Sequence, residues 1–333
     1  MAENSKLRIL HVLNIMKKTD ESHPINSTQI VAKLKLNGIK SERKSIGRDL
    51  ECLQDAGYEI VKCDNHNMGW YMTGQEFEDY ELKLLADAVA SARFLSVDDS
   101  RSLIKKVREL ATREGERLIN ATLIMDENVK SPDKKFKIKF DIIMRAIAER
   151  KQLRFQYLEY AEGKNKVLKR NGHVYQVSPY FMALANEEYF LIANPVTHNH
   201  VTHFRIEMIT GLDVFDEPAR PMSEVEELKN IGHDKSINDY LRESVNMWEG
   251  EVRDVTLRAS NGCKHDVMLR FGRDIFIRDD GGEYFIAHVR VADAIGFYFW
   301  LAAHGPYVEV QSPKNIRDGF KDFLLETLEN YEG

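Results

Sequence analysis

Cysteine is scarce in this 333-residue chain, and its three thiols follow no covalent or metal-binding pattern. Cys52, Cys63 and Cys263 form no Cys-x-x-Cys pair, and their odd number leaves one over. A disulfide framework or a zinc ribbon is therefore not expected, and a reducing cytoplasm is the location that fits. Free cysteine behaves as a small apolar residue, so we expect all three thiols to be buried or partly buried.

Long apolar runs are missing as well. No stretch approaches the roughly 18 residues that a transmembrane helix needs. The first residues are polar, and the apolar stretch after them is interrupted by His11, Asn14 and Lys17, so no secretory signal peptide is expected. With 43% hydrophobic and 30% charged residues, the composition is that of a soluble chain with more than one core and no membrane partner.

The sequence also lacks the common catalytic fingerprints. It has no G-x-S-x-G, P-loop, H-E-x-x-H or dinucleotide motif, and Asp279 with Asp280 fits a turn better than an acid–base pair. His198, His200 and His203 have no matching carboxylate or thiolate cluster, so no metal and no other cofactor is expected. The chain is predicted not to be an enzyme; an enzyme with a DNA-binding appendage remains an alternative that a turnover screen with nucleotides would test.

Basic residues are outnumbered by acidic ones in the whole chain, but they are concentrated in two regions. The formal net charge is −6, yet residues 1–50 contain ten basic and five acidic side chains. A second basic zone runs from Lys134 to Arg170. Such segregation is expected when one region meets phosphate and the others meet solvent or protein.

Residues 1–56 have the pattern of three helices. Apolar residues recur at helical spacing from about Lys6 to Lys18, and Asn26 with Gln29 fits a capping box for the second helix. Ser41 is suited to cap a third helix that runs to about Ala56. Two β-patterned segments, 58–61 and 69–72, follow around a polar loop. This order predicts a winged helix-turn-helix DNA-binding domain in residues 1–75.

The third helix separates apolar and basic side chains. Ile46, Leu50 and Leu53 share one face, whereas Lys44 and Arg48 lie opposite. A major-groove recognition helix needs this arrangement, because its N-terminal residues reach base edges and phosphates. The side chains predicted to contact double-stranded DNA are Ser41, Arg43, Lys44, Ser45 and Arg48 of this helix, together with Lys62 of the hairpin.

Residues 41–53 resemble the recognition helix of helix-turn-helix regulators that carry a WYL domain. The recurrent Arg-Asp-Leu-Glu-x-Leu core of that family is present at Arg48–Leu53, with Gly47 in place of the usual aromatic residue. Glycine costs about 1 kcal/mol of helix propensity. In this family the following helices contribute to dimer contacts, so the resemblance implies a homodimer.

A helical connector is expected in residues 76–134. One apolar stripe comprises Leu82, Leu85, Val89 and Ala92, and a second helix begins at Asp98 or Asp99. A polar stretch ends the connector.

The middle region, residues 135–218, begins with a predicted helix from Phe140 to Arg150 and continues as about five short strands, which suggests a small barrel. Residues 177–181 and 189–193 resemble the two hallmark strands of a WYL domain, with Tyr189-Phe190-Leu191 as the naming triplet. The resemblance implies an Sm-like (SH3-like) barrel that senses nucleotides or nucleic-acid fragments.

The resemblance also assigns the effector site. Arg205 is carried over as the main anion contact, whereas Met208 stands where the family commonly has a second arginine. Arginine binds phosphate bidentately and aromatic faces stack on bases, although an aromatic residue in a strand, such as Phe190, also fits a core position. The predicted ligand-binding residues are Arg205, Tyr180, Tyr189, Phe190, Ser178 and His203.

After an expected linker at 219–249, residues 250–333 follow the order β-α-β-β-α-β-α, which predicts a ferredoxin-like α+β domain. This region resembles the C-terminal extension called WCX.

The fold class is thus multidomain α+β. The predicted function is a sequence-specific transcription regulator, with repression slightly favoured, whose DNA binding responds to a nucleotide or nucleic-acid-fragment effector. The alternative is an accessory protein whose barrel binds single strands.

Overall fold

The computed structural model describes residues 2–64 and 69–332, which form two compact units, residues 1–134 and 135–333. Residues 65–68 of the predicted polar loop lie outside the described residues. The described part has a mixed α+β architecture. None of its helices is long and apolar enough to span a membrane.

The first unit begins with three helices and an antiparallel hairpin and continues with three more helices. Their bounds are α1 (Ala2–Met16), α2 (Ser27–Leu36), α3 (Arg43–Asp55), β1 (Ile60–Lys62), β2 (Trp70–Met72), α4 (Asp79–Ser91), α5 (Val97–Leu110) and α6 (Arg113–Thr122). The helix α6 was not predicted, because a ten-residue helix carries only a short apolar stripe.

The N-terminal core joins α1, α2, α3 and the hairpin. Its fully buried side chains include Met16, Ile30, Leu34 and Ile46. The predicted capping box of α2 is confirmed, since Asn26 Oδ1 accepts from Gln29 N and Gln29 Oε1 accepts from Asn26 N.

Gly69 fixes the hairpin to the segment before α2. Its φ of +96° lies in the left-handed region, and a Cβ there would approach Ile25 O to 2.1 Å. The close approach allows Trp70 and Ile25 to exchange both backbone hydrogen bonds, at 2.8 and 2.9 Å. A side chain at position 69 would therefore displace the hairpin.

The connector helices α4, α5 and α6 pack around a small core of their own that includes Leu82, Ala86 and Ile119. The predicted stripe was wrong in part, because Leu85 is exposed and the small Ala86 faces the core instead. The helix α5 is capped by Ser96, whose hydroxyl accepts from Asp99 N, rather than starting at an aspartate.

Lys18, just after α1, ties the N-terminal helices to the connector. Its Nζ donates to the carbonyls of Glu109 and Ala111, both at 2.8 Å, at the end of α5. Its own carbonyl accepts from Arg113 N at 3.2 Å. These bonds also satisfy carbonyls that the helix terminus leaves without intrahelical partners.

The second unit starts with a helix and a six-stranded antiparallel sheet. The bounds are α7 (Phe136–Glu149), β3 (Lys151–Tyr160), β4 (Lys166–Leu168), β5 (Val174–Ala185), β6 (Glu188–Pro195), β7 (Thr202–Arg205) and β8 (Ile209–Pro218). The strand order is β4-β3-β5-β6-β7. The strand β8 also pairs with β3, along the edge of β3 opposite to β5. The helix α7 starts four residues before the predicted Phe140.

Residues 219–250 fold against this sheet and contain α8 (Ile237–Glu243). Val225, Leu228 and Tyr240 from this segment are buried in one core with Phe190 and Ile192 of β6. The segment thus covers one face of the sheet.

The C-terminal part comprises β9 (Val252–Ser260), α9 (Lys264–Phe271), β10 (Phe276–Asp279), β11 (Tyr284–Ala292), α10 (Ile295–His304), β12 (Val308–Ser312) and α11 (Lys314–Glu332). Its antiparallel sheet has the order β10-β11-β9-β12, and the predicted β-α-β-β-α-β-α sequence is confirmed. Phe271, Phe297 and Ile316 from the three helices pack against one face, with Phe285 of β11.

The cysteines are free, and Cys52 on α3 is exposed rather than buried as expected. Its position on α3 lies outside the face formed by Ile46, Leu50 and Leu53, which explains the exposure.

Candidate nucleic-acid interface and effector surface

The helix α3 has one buried and one charged face, as predicted. Ile46, Leu50 and Leu53 are buried in the N-terminal core. Arg43, Lys44 and Arg48 are exposed, and none of them forms an ion pair with a residue that the structure describes. Three unneutralised cations therefore project from the N-terminal half of one helix, which is the arrangement that anionic phosphates and base edges can contact.

One of the two acidic residues of the Arg48–Leu53 motif is withdrawn from this face. Asp49 is buried and accepts two hydrogen bonds from Arg8 of α1, from Nε at 2.6 Å and from Nη2 at 2.9 Å. This pairing raises the pKa of the Arg8 guanidinium through its hydrogen bonds to Asp49. Sequence reasoning missed the pair, because the two residues are 41 positions apart and share no periodic pattern.

The start of α3 differs from the prediction. Its N-cap is Glu42 without a side-chain capping bond, and Ser41 lies one residue earlier, partly buried. Ser45 is partly buried on the flank of α3, and Lys62 is exposed on β1. The six predicted DNA-contacting residues therefore remain available to solvent to different degrees.

Gly47 is partly buried and lies between the exposed Lys44 and Arg48 on α3. A Cβ added there would meet no atom within 4 Å. The protein's own packing consequently does not require glycine at this position.

Arg205 is exposed at the end of β7. Its Nε lies 3.1 Å from Glu188 Oε2, and its guanidinium lies 5.9 Å from the ring centroid of Phe190. Phe190 is buried and sits opposite Arg205 in the β6–β7 register. An anion at Arg205 would compete with the Glu188 carboxylate, and Phe190 supports this site from within the core.

The ring of Tyr189 packs against α7. Its ring centroid lies 6.0 Å from that of Phe136 and 5.1 Å from that of Phe140. The structure thus places Tyr189, the first residue of the naming triplet, against the helix that precedes the six-stranded sheet.

His203 is buried, with 2% of its side chain exposed. Its Nδ1 lies 2.8 Å from Met247 O and its Nε2 lies 2.6 Å from the Tyr240 hydroxyl. Since the carbonyl can only accept, Nδ1 carries the proton and Nε2 accepts from Tyr240. Burial lowers the pKa of His203, so its ring is neutral and serves to join residues 219–250 to β7.

Ser178 and Tyr180 meet an arginine that sequence reasoning did not single out. Ser178 Oγ accepts from Arg220 N at 2.9 Å, and the Tyr180 hydroxyl donates to Arg220 O at 3.0 Å. Burial raises the pKa of Tyr180 to about 12. Arg220 Nη1 donates to Asn194 Oδ1, His198 O and Asn199 Oδ1 at 2.8–3.0 Å. No local motif marks Arg220, because its partners come from three separate segments.

The predicted effector residues thus form separate groups. Arg205 and Phe190 lie at one end of β6 and β7, whereas Ser178 and Tyr180 contact Arg220 near the other end of β6.

A cavity of about 620 Å³ lies between residues 219–252 and β11. Lys235 pairs with the buried Glu243, which also lies 3.5 Å from Arg290. Glu249 Oε1 accepts from His203 N at 2.8 Å, while burial raises the pKa of Glu249 to about 7. In the described part of the chain, no group of three or more His, Cys, Asp or Glu could hold a metal ion.

Two family models match the second unit. The WYL domain model matches residues 139–214, and the WCX domain model matches residues 251–326. The chain contains a WYL domain followed by a WCX domain. The sequence-based recognition of both is therefore confirmed.

Solved structures show only loose similarity. "Proteasome accessory factor B/C (PafBC) of Arthrobacter aurescens" is 16% identical with a TM-score of 0.30, and the match covers 98% of this chain and 49% of that one. The crystal structure of a CRISPR Cas-related protein is 12% identical with a TM-score of 0.37, and the match covers 98% and 85%. The chain thus spans about half the length of the PafBC chain. No curated protein matches the chain.

Proposed function

We propose that this WYL–WCX protein is a sequence-specific regulator of transcription that binds double-stranded DNA. In this proposal α1–α3 and the β1–β2 hairpin act as a winged helix-turn-helix, and α3 enters the major groove. The observation that carries the proposal is the exposed face of α3, where Arg43, Lys44 and Arg48 have no carboxylate partner among the described residues.

The regulator would act as a homodimer. The connector helices expose large apolar side chains that a second copy could cover, namely Leu84, Leu85, Leu110 and Leu118. Two α3 helices related by two-fold symmetry would read an inverted repeat with half-sites about 34 Å apart, or a multiple of that distance. Solvent-exposed apolar surface of this kind is a common mark of a protein–protein contact.

The WYL domain would supply regulation, with repression as the favoured direction. Arg205 would contact the phosphate of a nucleotide or nucleic-acid fragment in exchange for Glu188, beside Phe190, whereas Tyr189 packs on α7 at the other face of β6. Ser178 and Tyr180 would hold Arg220 in place, and His203 would separately hold the segment around Tyr240 and Met247. Thermodynamic linkage requires effector and DNA to change each other's affinity by the same factor.

The test is selective retention of genomic DNA. The purified protein is mixed with sheared genomic DNA at near-physiological salt, and the retained fragments are sequenced. We expect enrichment of a few sites that share an inverted repeat. Uniform retention at every site would contradict sequence-specific reading by α3, because phosphate contacts alone carry no sequence information.

An accessory protein that binds single strands through the barrel is the second candidate. It is favoured by cationic side chains near tyrosine rings on the WYL domain, where Lys166 lies 5.2 Å from the centroid of the exposed Tyr160 and Lys169 lies 5.8 Å from that of the partly buried Tyr157. In that case single-strand binding would survive the removal of the α3 cations, and duplex sites would not be enriched.

A further inference from the structure

Among the described residues of the WCX domain, no helix packs on one of the two faces of its sheet. Side chains alternate along β11, so that Phe285, Ala287 and Val289 enter the core while Tyr284, Ile286 and His288 lie on the opposite face. We call this opposite face, with its neighbours on β9, β10 and β12, the open face. It forms a shallow depression of about 540 Å³ above Ile286.

Aromatic rings are displayed on the open face. Phe276 of β10 has 60% of its surface exposed. It pairs in register with His288 of β11, and the two ring centroids are 5.4 Å apart. Four residues before His288 on β11 and on the same face, Tyr284 lies beside the Arg258 guanidinium, which is 3.8 Å from the ring centroid. Planar groups are thus presented at the start and in the middle of β11.

The acidic groups of the open face are already neutralised. Asp280 accepts from Arg258 at 2.7 Å, and Glu309 lies 3.1 Å from Arg317. Asp254 lies 3.6 Å from Arg290, which is also 3.5 Å from Glu243.

One arginine stands apart from these pairs. Arg278 is exposed and sits opposite Ile286 in the β10–β11 register, between the Phe276–His288 pair and Tyr284. No ion pair to Arg278 occurs within residues 2–64 and 69–332. The open face therefore offers one uncompensated cation between two sets of planar groups.

We propose that the open face binds a short single-stranded segment of nucleic acid, two or three nucleotides long. Bases stack on the Phe276–His288 pair and on Tyr284, and an intervening phosphate contacts Arg278. A four-stranded antiparallel sheet that presents rings is a known platform for stacking two or three bases. A duplex does not fit, because its base faces are hidden by stacking. This site is separate from α3 and from the barrel surface around Arg205, and it does not depend on the function proposed above.

The experiment uses the full chain and a 12-nucleotide single strand of thymidines that carries one 5-iododeoxyuridine. Photocrosslinking and peptide mapping locate the contact, and fluorescence anisotropy measures the affinity. We expect crosslinks within residues 276–290. A stacked ring contributes roughly a factor of 5 to 100 in affinity, so the double variant Phe276→Ala/His288→Ala should bind the single strand at least about tenfold more weakly.

The control removes the same types of side chain elsewhere in the WCX domain. His265 on α9 and Tyr331 on α11 are exposed, and neither lies on the WCX sheet. The variant His265→Ala/Tyr331→Ala should leave the single-strand affinity unchanged. Arg278→Ala should reduce the slope of log affinity against log salt by about one phosphate contact, whereas Arg273→Ala, an exposed residue between α9 and β10, should not.

Two results would overturn the proposal. The first is crosslinking confined to residues outside 250–333 together with unchanged affinity of the Phe276/His288 variant. The second is concentration-dependent assembly of the parent protein that the same variant abolishes, which would make a second copy the occupant of the open face. Binding of the variants to duplex genomic sites is measured in parallel. This duplex binding should be unchanged. If the regulator proposal is wrong, the protein will not bind duplex sites selectively, whereas the crosslinks to the single strand will still map to residues 276–290.

Discussion

The guanidinium of Arg8 and the carboxylate of Asp49 form a two-point ion pair that joins α1 to α3. Only 17% of the Arg8 side chain and 7% of that of Asp49 are exposed. The pair fixes the rotation of α3 about its own axis relative to α1. It also removes Asp49, the acidic residue directly after Arg48, from the surface that would meet phosphate.

Breaking this pair should destabilise the N-terminal domain. Asp49→Asn leaves the largely buried Arg8 without its counter-charge, and the expected loss is on the order of 3 kcal/mol of unfolding free energy. Urea denaturation measures it. Arg117→Ala, which removes an exposed i,i+3 pair with Glu114, should cost less than about 1 kcal/mol. Equal effects of the two substitutions would show that the Arg8–Asp49 pair has no special structural role.

Removing the α3 cations should weaken binding to specific DNA. Each good base contact is worth about 1–3 kcal/mol, so Lys44→Ala/Arg48→Ala should lower operator affinity at least about tenfold without lowering stability. Lys105→Ala/Lys106→Ala is the matched control, since it removes two exposed positive charges from α5 of the same unit. Comparable losses in both double variants would point to general charge attraction and against recognition by α3.

Two glycines should respond oppositely to substitution by alanine. Gly47 is helical with open space around its missing Cβ, so Gly47→Ala should stabilise the protein by up to about 1 kcal/mol. Gly69→Ala should destabilise it strongly, because the new Cβ would clash with Ile25 O at a φ of +96°. Thermal and urea unfolding of the two variants test this contrast. A destabilised Gly47→Ala protein would contradict the open space around this position.

The stability of the second unit should depend on pH through Glu249. Burial raises the pKa of Glu249 to about 7 from a model-compound value of 4.5, so the folded state favours the protonated carboxyl. The folded chain therefore loses stability as pH rises from about 4.5 through 7, and the loss is complete above that range. Since 44% of the side chain is exposed, solvent screening should limit the effect to at most about 1 kcal/mol.

Glu249→Gln isolates this contribution, because its amide does not titrate. The melting temperature of the variant minus that of the parent protein should increase as the pH rises from 5 to 8. Glu251→Gln, at a mostly exposed neighbouring carboxylate, should show no such pH-dependent difference. A constant offset between Glu249→Gln and the parent at all pH values would exclude the titration of Glu249 as the cause.

Local patterns predicted much of this fold, and long-range pairings were beyond them. The capping box of α2 and the two faces of α3 follow from residues three or four apart, which is the spacing of a helix. The order of elements in the WCX domain follows from turns and alternation. By contrast, the Arg8–Asp49 pair and the hydrogen bonds of Arg220 join distant segments, and nothing local encodes them.

The candidate effector site shows the same limit. The sequence placed Arg205 on a strand, and the structure shows it exposed there. It could not show that His203, two positions earlier on the same face of β7, is buried by residues 219–250. Whether a strand face meets solvent depends on which later segment packs on it, and alternation alone does not contain that information.

The hydrogen bonds of Lys18 couple the motion of α1 to that of the connector helices. Its ammonium group holds the last carbonyls of α5, and its carbonyl holds the first amide of α6, so three hydrogen bonds converge on a single residue behind α1. A rotation of α5 must therefore move α1 as well or break these hydrogen bonds. Arg8 couples α1 to α3. A rotation of the connector helices would therefore also rotate α3 and change the direction in which its exposed cations point.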